Sequence, residues 1–99
     1  MTEISEATKQ RVLAMFASGG APEAETLLAM DCGRNLPGMD DATAKELERI
    51  RFAAIRLSGG DIGRLRDAIR LAQIDWRDLL VAAGFADDIQ AHERWQPGE

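Results

Sequence analysis

The sequence has no tyrosine, one cysteine and one histidine, and aromatic residues make up only 5% of its 99 residues. A single cysteine cannot form an internal disulfide, which excludes a fold held together by disulfide bonds. The longest uninterrupted apolar run, residues 79–83, is far shorter than the roughly 20 residues that span a bilayer, so we predict no membrane segment. No positively charged and apolar leader opens the chain, and we therefore expect a cytoplasmic protein.

The amino-acid composition favours helices. Apolar residues make up 45% of the chain, which is enough for one small core at this length. Alanine and leucine dominate among them, and these residues lose little conformational freedom in a helix. We find no repeat, low-complexity segment or linker. The composition therefore predicts one all-α domain over residues 1–99, a bundle of five to six short helices with a frayed tail at about 96–99.

Capping residues and apolar periodicity predict six helices. Their ranges are about 5–17, 22–32, 42–57, 61–72, 75–83 and 87–95. Asp40 and Asp41 are candidate caps for the third helix, since an aspartate oxygen can accept a hydrogen bond from a free backbone N–H at a helix start.

The fifth predicted helix has the clearest local signals. Asp75 is a candidate N-cap, and Ile74 with Leu79 occupies the two positions of a hydrophobic staple. Gly84 followed by Phe85 is typical of a Schellman motif, in which glycine ends a helix in the left-handed conformation.

Charge is distributed unevenly along the chain. Residues 1–48 hold nine acids and four bases, residues 49–70 two acids and six arginines, and residues 71–99 six acids and two arginines. The central segment could bind an anion or a nucleic acid, or it could neutralise the acidic helices within the fold. The net charge of −5 repels polyanions at long range, so we favour neutralisation and expect no nucleic-acid partner. The candidate anion patch consists of Arg51, Arg64, Arg66 and Arg70.

Two short motifs have a functional and a structural interpretation. Gly59 and Gly60 before Asp61 could hold a phosphate at a helix start, but one helix ending at glycine and another capped by aspartate explains the same residues. The fourth and fifth predicted helices are spaced like a helix-turn-helix, but Asp75 and Asp78 would then face the DNA. We favour the structural interpretation for both motifs.

Phe52 departs from the apolar pattern of the third predicted helix. The apolar stripe of that helix is formed by Leu47, Ile50, Ala54 and Leu57. At 100° per residue, Phe52 lies nearly opposite this stripe, between Arg49 and Arg56. Either the helix is covered on two sides, with arginine side chains over the ring, or Phe52 is an exposed anchor for a partner. The second alternative defines a candidate interaction surface of Arg49, Phe52 and Arg56, for another protein or a second copy of this chain.

Few residues could carry catalysis. Asp88 and His92 are four residues apart and could form an acid–base pair or bind a metal, but catalytic zinc usually has three protein ligands. A histidine held by Asp88 is the simpler interpretation. Cys32 could serve with His92 as a nucleophile, yet its spacing from Leu28 is typical of a buried residue. We therefore predict no catalytic residue, no cofactor and no metal site.

Residues 57–61 (LSGGD) and 75–85 (DWRDLLVAAGF), together with Cys32, Gly33 and residues 35–37, resemble a family of small all-α bacterial proteins without an assigned activity. This resemblance implies a helical fold and no catalytic residue. From the residues themselves we predict a protein-interaction or regulatory module without catalysis. The alternatives are an anion or nucleic-acid binder that uses residues 49–70 and a small enzyme around Asp88 and His92.

Overall fold

The computed structural model describes residues 4–97 as an all-α bundle, which confirms the predicted fold class. Its helices are α1 (Glu6–Met15), α2 (Ala21–Asp31), α3 (Ala44–Ser58), α4 (Ile62–Ala83) and α5 (Ala91–Arg94). The described range contains no strand. Helix α3 lies at the centre, because it packs against α1, α4 and α5, whereas α2 packs against α1 and α4.

Side-chain caps fix the starts of three helices. Ser5, Thr43 and Asp61 each accept a hydrogen bond from the backbone N–H three residues later, at 3.0–3.2 Å. Such a bond satisfies one of the N–H groups that have no partner inside the helix. The predicted capping of α3 by Asp40 or Asp41 is wrong, because Thr43 is the cap and the helix begins two residues later than expected.

The connection between α3 and α4 holds the end of α1. Gly60 has a φ of +87°, and a Cβ atom built there would lie 2.6 Å from the carbonyl oxygen of Met15. A side chain at this position would therefore both strain the backbone and separate the two segments. Gly60 lets the last turn of α1 pack directly on this connection.

Helix α4 bends within its length. Asp75 leaves the helical region, with φ −157° and ψ 104°, and its carboxylate accepts a hydrogen bond from the backbone N–H of Arg77 at 3.0 Å. The predicted start of a new helical segment at Asp75 is confirmed, although no loop separates it from the preceding segment. The predicted hydrophobic staple is wrong, because Leu79 is buried while Ile74 is 74% exposed.

The predicted end of α4 at Gly84 is correct, whereas the helix predicted after it is too long. Gly84 has a φ of +80°, and the N–H of Phe85 donates to the carbonyl of Leu80 at 2.9 Å, which confirms the Schellman motif. The sixth predicted helix, 87–95, is much shorter in the structure, where α5 covers only Ala91–Arg94. The predicted frayed tail includes residues 98–99, which lie outside the described residues.

Candidate binding pocket

The predicted interaction surface of Arg49, Phe52 and Arg56 is not formed, because Phe52 is only 1% exposed. The guanidinium of Arg11, on α1, lies 4.1 Å from the centroid of the Phe52 ring, and the ring of His92 lies 5.4 Å away on another side. Of the two alternatives, the helix covered on two sides is therefore correct. An arginine of α1, rather than one of α3, covers the ring.

The predicted anion patch does not form one surface either. Its members were Arg51, Arg64, Arg66 and Arg70. Arg51 is 2% exposed, and its Nε donates to the carbonyl oxygen of Cys32 at 2.8 Å, so it holds the segment after α2 inside the protein. Arg66 forms an ion pair of 2.6 Å with Glu23 on α2. Neutralisation of an acidic helix, the interpretation that we favoured, is confirmed for Arg66.

The predicted pairing of Asp88 with His92 is wrong. Helix α5 begins after Asp88, so the two residues do not share a helix face. The exposed carboxylate of Asp88 instead forms an ion pair with Arg94, whose hydrogen bond lowers the pKa of Asp88. Cys32 is fully buried, and burial raises the pKa of its thiol to about 12, so the thiol stays protonated at neutral pH. No cluster of three or more metal-ligating side chains occurs within residues 4–97.

The structure instead shows a pocket of about 450 Å³ between α3, the second segment of α4 and α5. The bend at Asp75 starts the segment that carries Trp76 and Leu80, and these side chains form one wall. Ile89, in the connection before α5, lines the pocket and is 72% exposed, which places it at the outer edge. The volume lies within the range of about 300–1,000 Å³ that is typical of small-molecule sites.

His92 lines this pocket with a ring whose nitrogens are buried in the protein. Its side chain is 2% exposed, and neither Nδ1 nor Nε2 has a hydrogen-bond partner within residues 4–97. The ring is held edge-on by Phe52, at 5.4 Å, and by Phe85, at 6.4 Å between centroids. Buried polar side-chain atoms in native proteins almost always have a partner. Both nitrogens are covered by protein atoms, so a molecule in the pocket does not reach them in this conformation.

Burial also sets the protonation state of this ring. Loss of solvation is the main cause that lowers the pKa of His92; Glu93 and Glu48 oppose the shift, whereas Arg49 and Arg11 reinforce it. At neutral pH the imidazole is therefore uncharged. It offers one hydrogen-bond donor and one acceptor, and the two nitrogens can exchange these roles by tautomerisation.

The charged side chains at the pocket are not all paired. Lys45 and Glu93 form an exposed ion pair of 3.1 Å. Arg49 makes no ion pair within residues 4–97; its Nη2 donates to the carbonyl oxygens of Phe85, at 2.6 Å, and Ala86, at 3.3 Å. The Nε of Arg49 is buried and has no hydrogen-bond partner among the described residues. Glu46 also lines the pocket and makes no ion pair within the described range, so the pocket holds one unpaired charge of each sign.

The apolar wall of this pocket could not be recognised from the sequence. Trp76 and Leu80 lie within the fifth predicted helix, 75–83, but apolar periodicity does not distinguish the wall of a pocket from the core. Nothing in the sequence around Met39, in the connection before α3, indicated that this residue lines a pocket. The one usable signal is that Ile89 and His92 are close together in the sequence.

Comparisons with known proteins assign this chain to no family. No protein-family model matches the chain, and no curated protein and no solved structure is significantly similar to it. The resemblance to a family of small bacterial proteins therefore stays a prediction. Within residues 4–97, no helix is long and apolar enough to cross a membrane.

Proposed function

We propose that this protein is a non-catalytic binding module that holds a small apolar molecule in the pocket between α3, α4 and α5. The observation that carries the proposal is one cavity of about 450 Å³ that is lined both by apolar side chains, such as Trp76 and Leu80, and by polar ones, such as Thr43 and Gln90. Small-molecule sites typically have this composition, because apolar walls supply affinity while a few fixed polar groups set orientation.

The expected affinity for a simple ligand is modest. A molecule that buries about 200 Å² of apolar surface against Trp76, Leu80 and Ile89 gains about 5 kcal/mol, at roughly 25 cal/mol per Å². Association costs at least about 4 kcal/mol in lost translational and rotational freedom, which offsets most of this gain. We therefore expect a plain alkyl probe to bind weakly, with a dissociation constant no lower than about 1 mM.

Two observations support a role without catalysis. Within residues 4–97, the imidazole of His92 has no carboxylate partner that would orient it as a general base. The thiol of Cys32 is buried and protonated, which makes it a poor nucleophile. A module that binds and releases a ligand needs neither group to react.

Titration with octan-1-ol, followed by ¹H–¹⁵N NMR, tests the proposal. We expect the shifted amides to cluster around the pocket, and we expect Ile89→Asp to weaken binding at least about tenfold, because it places a charge on the apolar wall. Ile74→Asp is the matched control, since Ile74 is 74% and Ile89 72% exposed and only Ile89 lines the pocket. Equal effects of the two substitutions, or no binding by the wild type, would contradict the proposal.

A second candidate function uses the same pocket for an apolar side chain of a partner protein. The exposed Ile89, beside the ion pair of Lys45 and Glu93, supports it, because protein interfaces combine apolar contacts with a polar rim. Sedimentation velocity of the wild type and of Ile89→Asp examines the case in which the partner is a second copy. A concentration-dependent dimer lost only in Ile89→Asp is the expected result for that candidate, whereas a wild type that stays monomeric rules it out.

A further inference from the structure

We infer that residues 86–97 form a strap that is released from the bundle when His92 takes up a proton, while α1–α4 stay folded. The strap is the segment that follows Phe85, and it includes the short helix α5. This inference goes beyond the proposed function, because release of the strap does not require a bound ligand. It describes a conformational change that a fall in pH brings about.

The strap is held to the bundle mainly by one buried side chain. Within residues 86–97, only His92 is buried. Its ring packs against Phe52, on α3, at 5.4 Å and against Phe85, the second residue after α4, at 6.4 Å between centroids. Three further residues of the strap are half-buried, namely Ala91, Trp95 and Pro97, and all the others are exposed. Attachment of the strap therefore depends on the packing of a side chain that can become charged.

The other contacts between the strap and the bundle are few. Arg11, on α1, donates to the backbone carbonyl oxygens of Trp95, at 3.2 Å, and Glu93, at 3.5 Å. The ion pair of Glu93 with Lys45 is exposed, and exposed ion pairs contribute little to stability. Helix α5 has only four residues, which is too short for a helix that is stable by itself. Loss of the buried contact of His92 would thus leave the strap weakly held.

The position of His92 suits a neutral ring and excludes a charged one. Both ring nitrogens are buried, and neither has a hydrogen-bond partner within residues 4–97. Protonation turns both nitrogens into donors and adds a positive charge. Burial of an unpaired charge costs far more than burial of an unpaired polar group. The attached strap therefore resists the proton, whereas the released strap exposes the ring to water, where it is protonated below about pH 6.5.

Charged groups face His92 from α1, α3 and α5, and their effects oppose each other. Arg11, on α1, and Arg49, on α3, disfavour a proton on the ring. Glu48, on α3, and Glu93, on α5, favour it. Burial has a larger effect than any of these charges, and it lowers the pKa of His92. The neighbouring charges therefore do not compensate for the loss of water around the ring.

The carboxylates near the ring do not supply an acceptor for its proton. Glu48 accepts a hydrogen bond from the hydroxyl of Ser5 at 2.6 Å, and Glu93 is paired with Lys45 at 3.1 Å. Glu46 lines the pocket, but it is exposed and does not bond to the ring nitrogens. Among the described residues, no carboxylate is thus bonded to the ring, and a proton on the attached strap would remain unpaired.

Release of the strap would also change the pocket between α3, α4 and α5. Four of the residues that line the pocket belong to the strap, namely Ile89, Gln90, His92 and Glu93. Their departure would remove one wall of the pocket. A ligand bound there as proposed would therefore be released by acidification.

Measurement of ¹⁵N relaxation on the full chain, between about pH 7.5 and 5, tests the inference. We expect the order parameters of residues 89–95 to fall from about 0.85, which is typical of a rigid backbone, to below about 0.6, while those of α1–α4 stay high. Below about pH 6.5 the ratio of released to attached strap should rise up to tenfold per pH unit. His92 is the only histidine, so its ring signals report proton uptake directly, and both changes should have the same midpoint.

Substitutions at two positions of the strap assign the transition to His92. His92→Phe keeps a ring against Phe52 and Phe85 and cannot be protonated, so its strap should stay rigid over the whole pH range. His92→Leu is a second uncharged anchor, in case the larger ring disturbs the packing. His92→Ala should have a flexible strap already at about pH 7.5, because it removes most of the buried side chain. Glu93→Gln is the matched control, since it removes a neighbouring carboxylate and leaves His92, and its transition should persist.

Each alternative outcome contradicts a different part of the inference. A wild-type strap that stays rigid down to about pH 5, or that is already flexible at about pH 7.5, would overturn it. Simultaneous loss of order in all helices would mean global unfolding instead of local release. The same transition in both His92→Phe and His92→Leu, or its loss in Glu93→Gln, would assign it to another group. Binding of octan-1-ol enters none of these measurements, so the proposed function stands or fails separately.

Discussion

The burial of His92 makes the stability of this protein depend on pH. In the unfolded chain the histidine has a pKa of about 6.5, and burial lowers the pKa in the folded protein. As the pH falls, the unfolded state therefore takes up the proton first. The free energy of unfolding is highest above about pH 6.5, where the ring is neutral in both states, and it decreases as the pH falls towards the folded-state pKa.

The size of this effect follows from proton linkage. Between the two pKa values the unfolded state binds up to one more proton than the folded state, which corresponds to a loss of about 1.4 kcal/mol per pH unit. A domain of this size is stable by about 5–15 kcal/mol, so one pH unit removes a substantial fraction. Loss of solvation is the main cause that sets the folded-state pKa, where the decrease ends; Glu93 and Glu48 oppose this lowering, whereas Arg49 and Arg11 increase it.

Urea unfolding followed by circular dichroism, between about pH 5.5 and 7.5, measures this dependence. His92→Phe is the control, because it keeps a ring against Phe52 and Phe85 and cannot titrate. As His92 is the only histidine, we expect the slope below about pH 6.5 in the wild type and a much flatter profile in the variant. A wild-type protein that gains stability on acidification would show that the ring has an acidic partner and would refute the assignment of a buried, unpartnered imidazole.

Two further predictions concern the fold. Phe52→Ala should lower the free energy of unfolding by about 3–5 kcal/mol, since it opens a cavity under Arg11, whereas Leu13→Ala, at a side chain that is 60% exposed, should change it by less than about 0.5 kcal/mol. Similar losses in urea unfolding would mean that Phe52 is not buried. Gly60→Ala should cost more than about 2 kcal/mol, because positive φ strain adds to the contact of its Cβ with the Met15 carbonyl. Gly38→Ala, where φ is +77° and the added Cβ meets nothing within 4 Å, should show the strain alone, about 1 kcal/mol; equal losses would argue against the close approach at Gly60.

The features predicted correctly from the sequence are those that depend on a few neighbouring residues. The cap at Asp61, the break at Asp75 and the Schellman motif at Gly84 each involve hydrogen bonds between residues no more than five positions apart. The composition alone was sufficient for the helical class, because it reflects conformational preferences summed over the whole chain.

The features that were missed depend on residues distant in the sequence. Helical periodicity located Phe52 opposite the apolar stripe, but it could not show that α1 and α5 cover that side. Asp88 and His92 have helical spacing, yet the helix that would align them begins only at Ala91. The pocket combines residues from 39 to 93, so it exists only once α3, α4 and α5 have packed together.

Arg11, on α1, links the N-terminal part of the described chain to Trp95, which follows α5. Its Nε donates to the carbonyl oxygen of Trp95 at 3.2 Å, across 84 positions of sequence. Helix α5 has only four residues and cannot be stable in isolation, so it depends on such contacts. We therefore expect the wall of the pocket that includes His92 and Glu93 to depend on the contact between α1 and Trp95, although α1 contributes no side chain to the pocket.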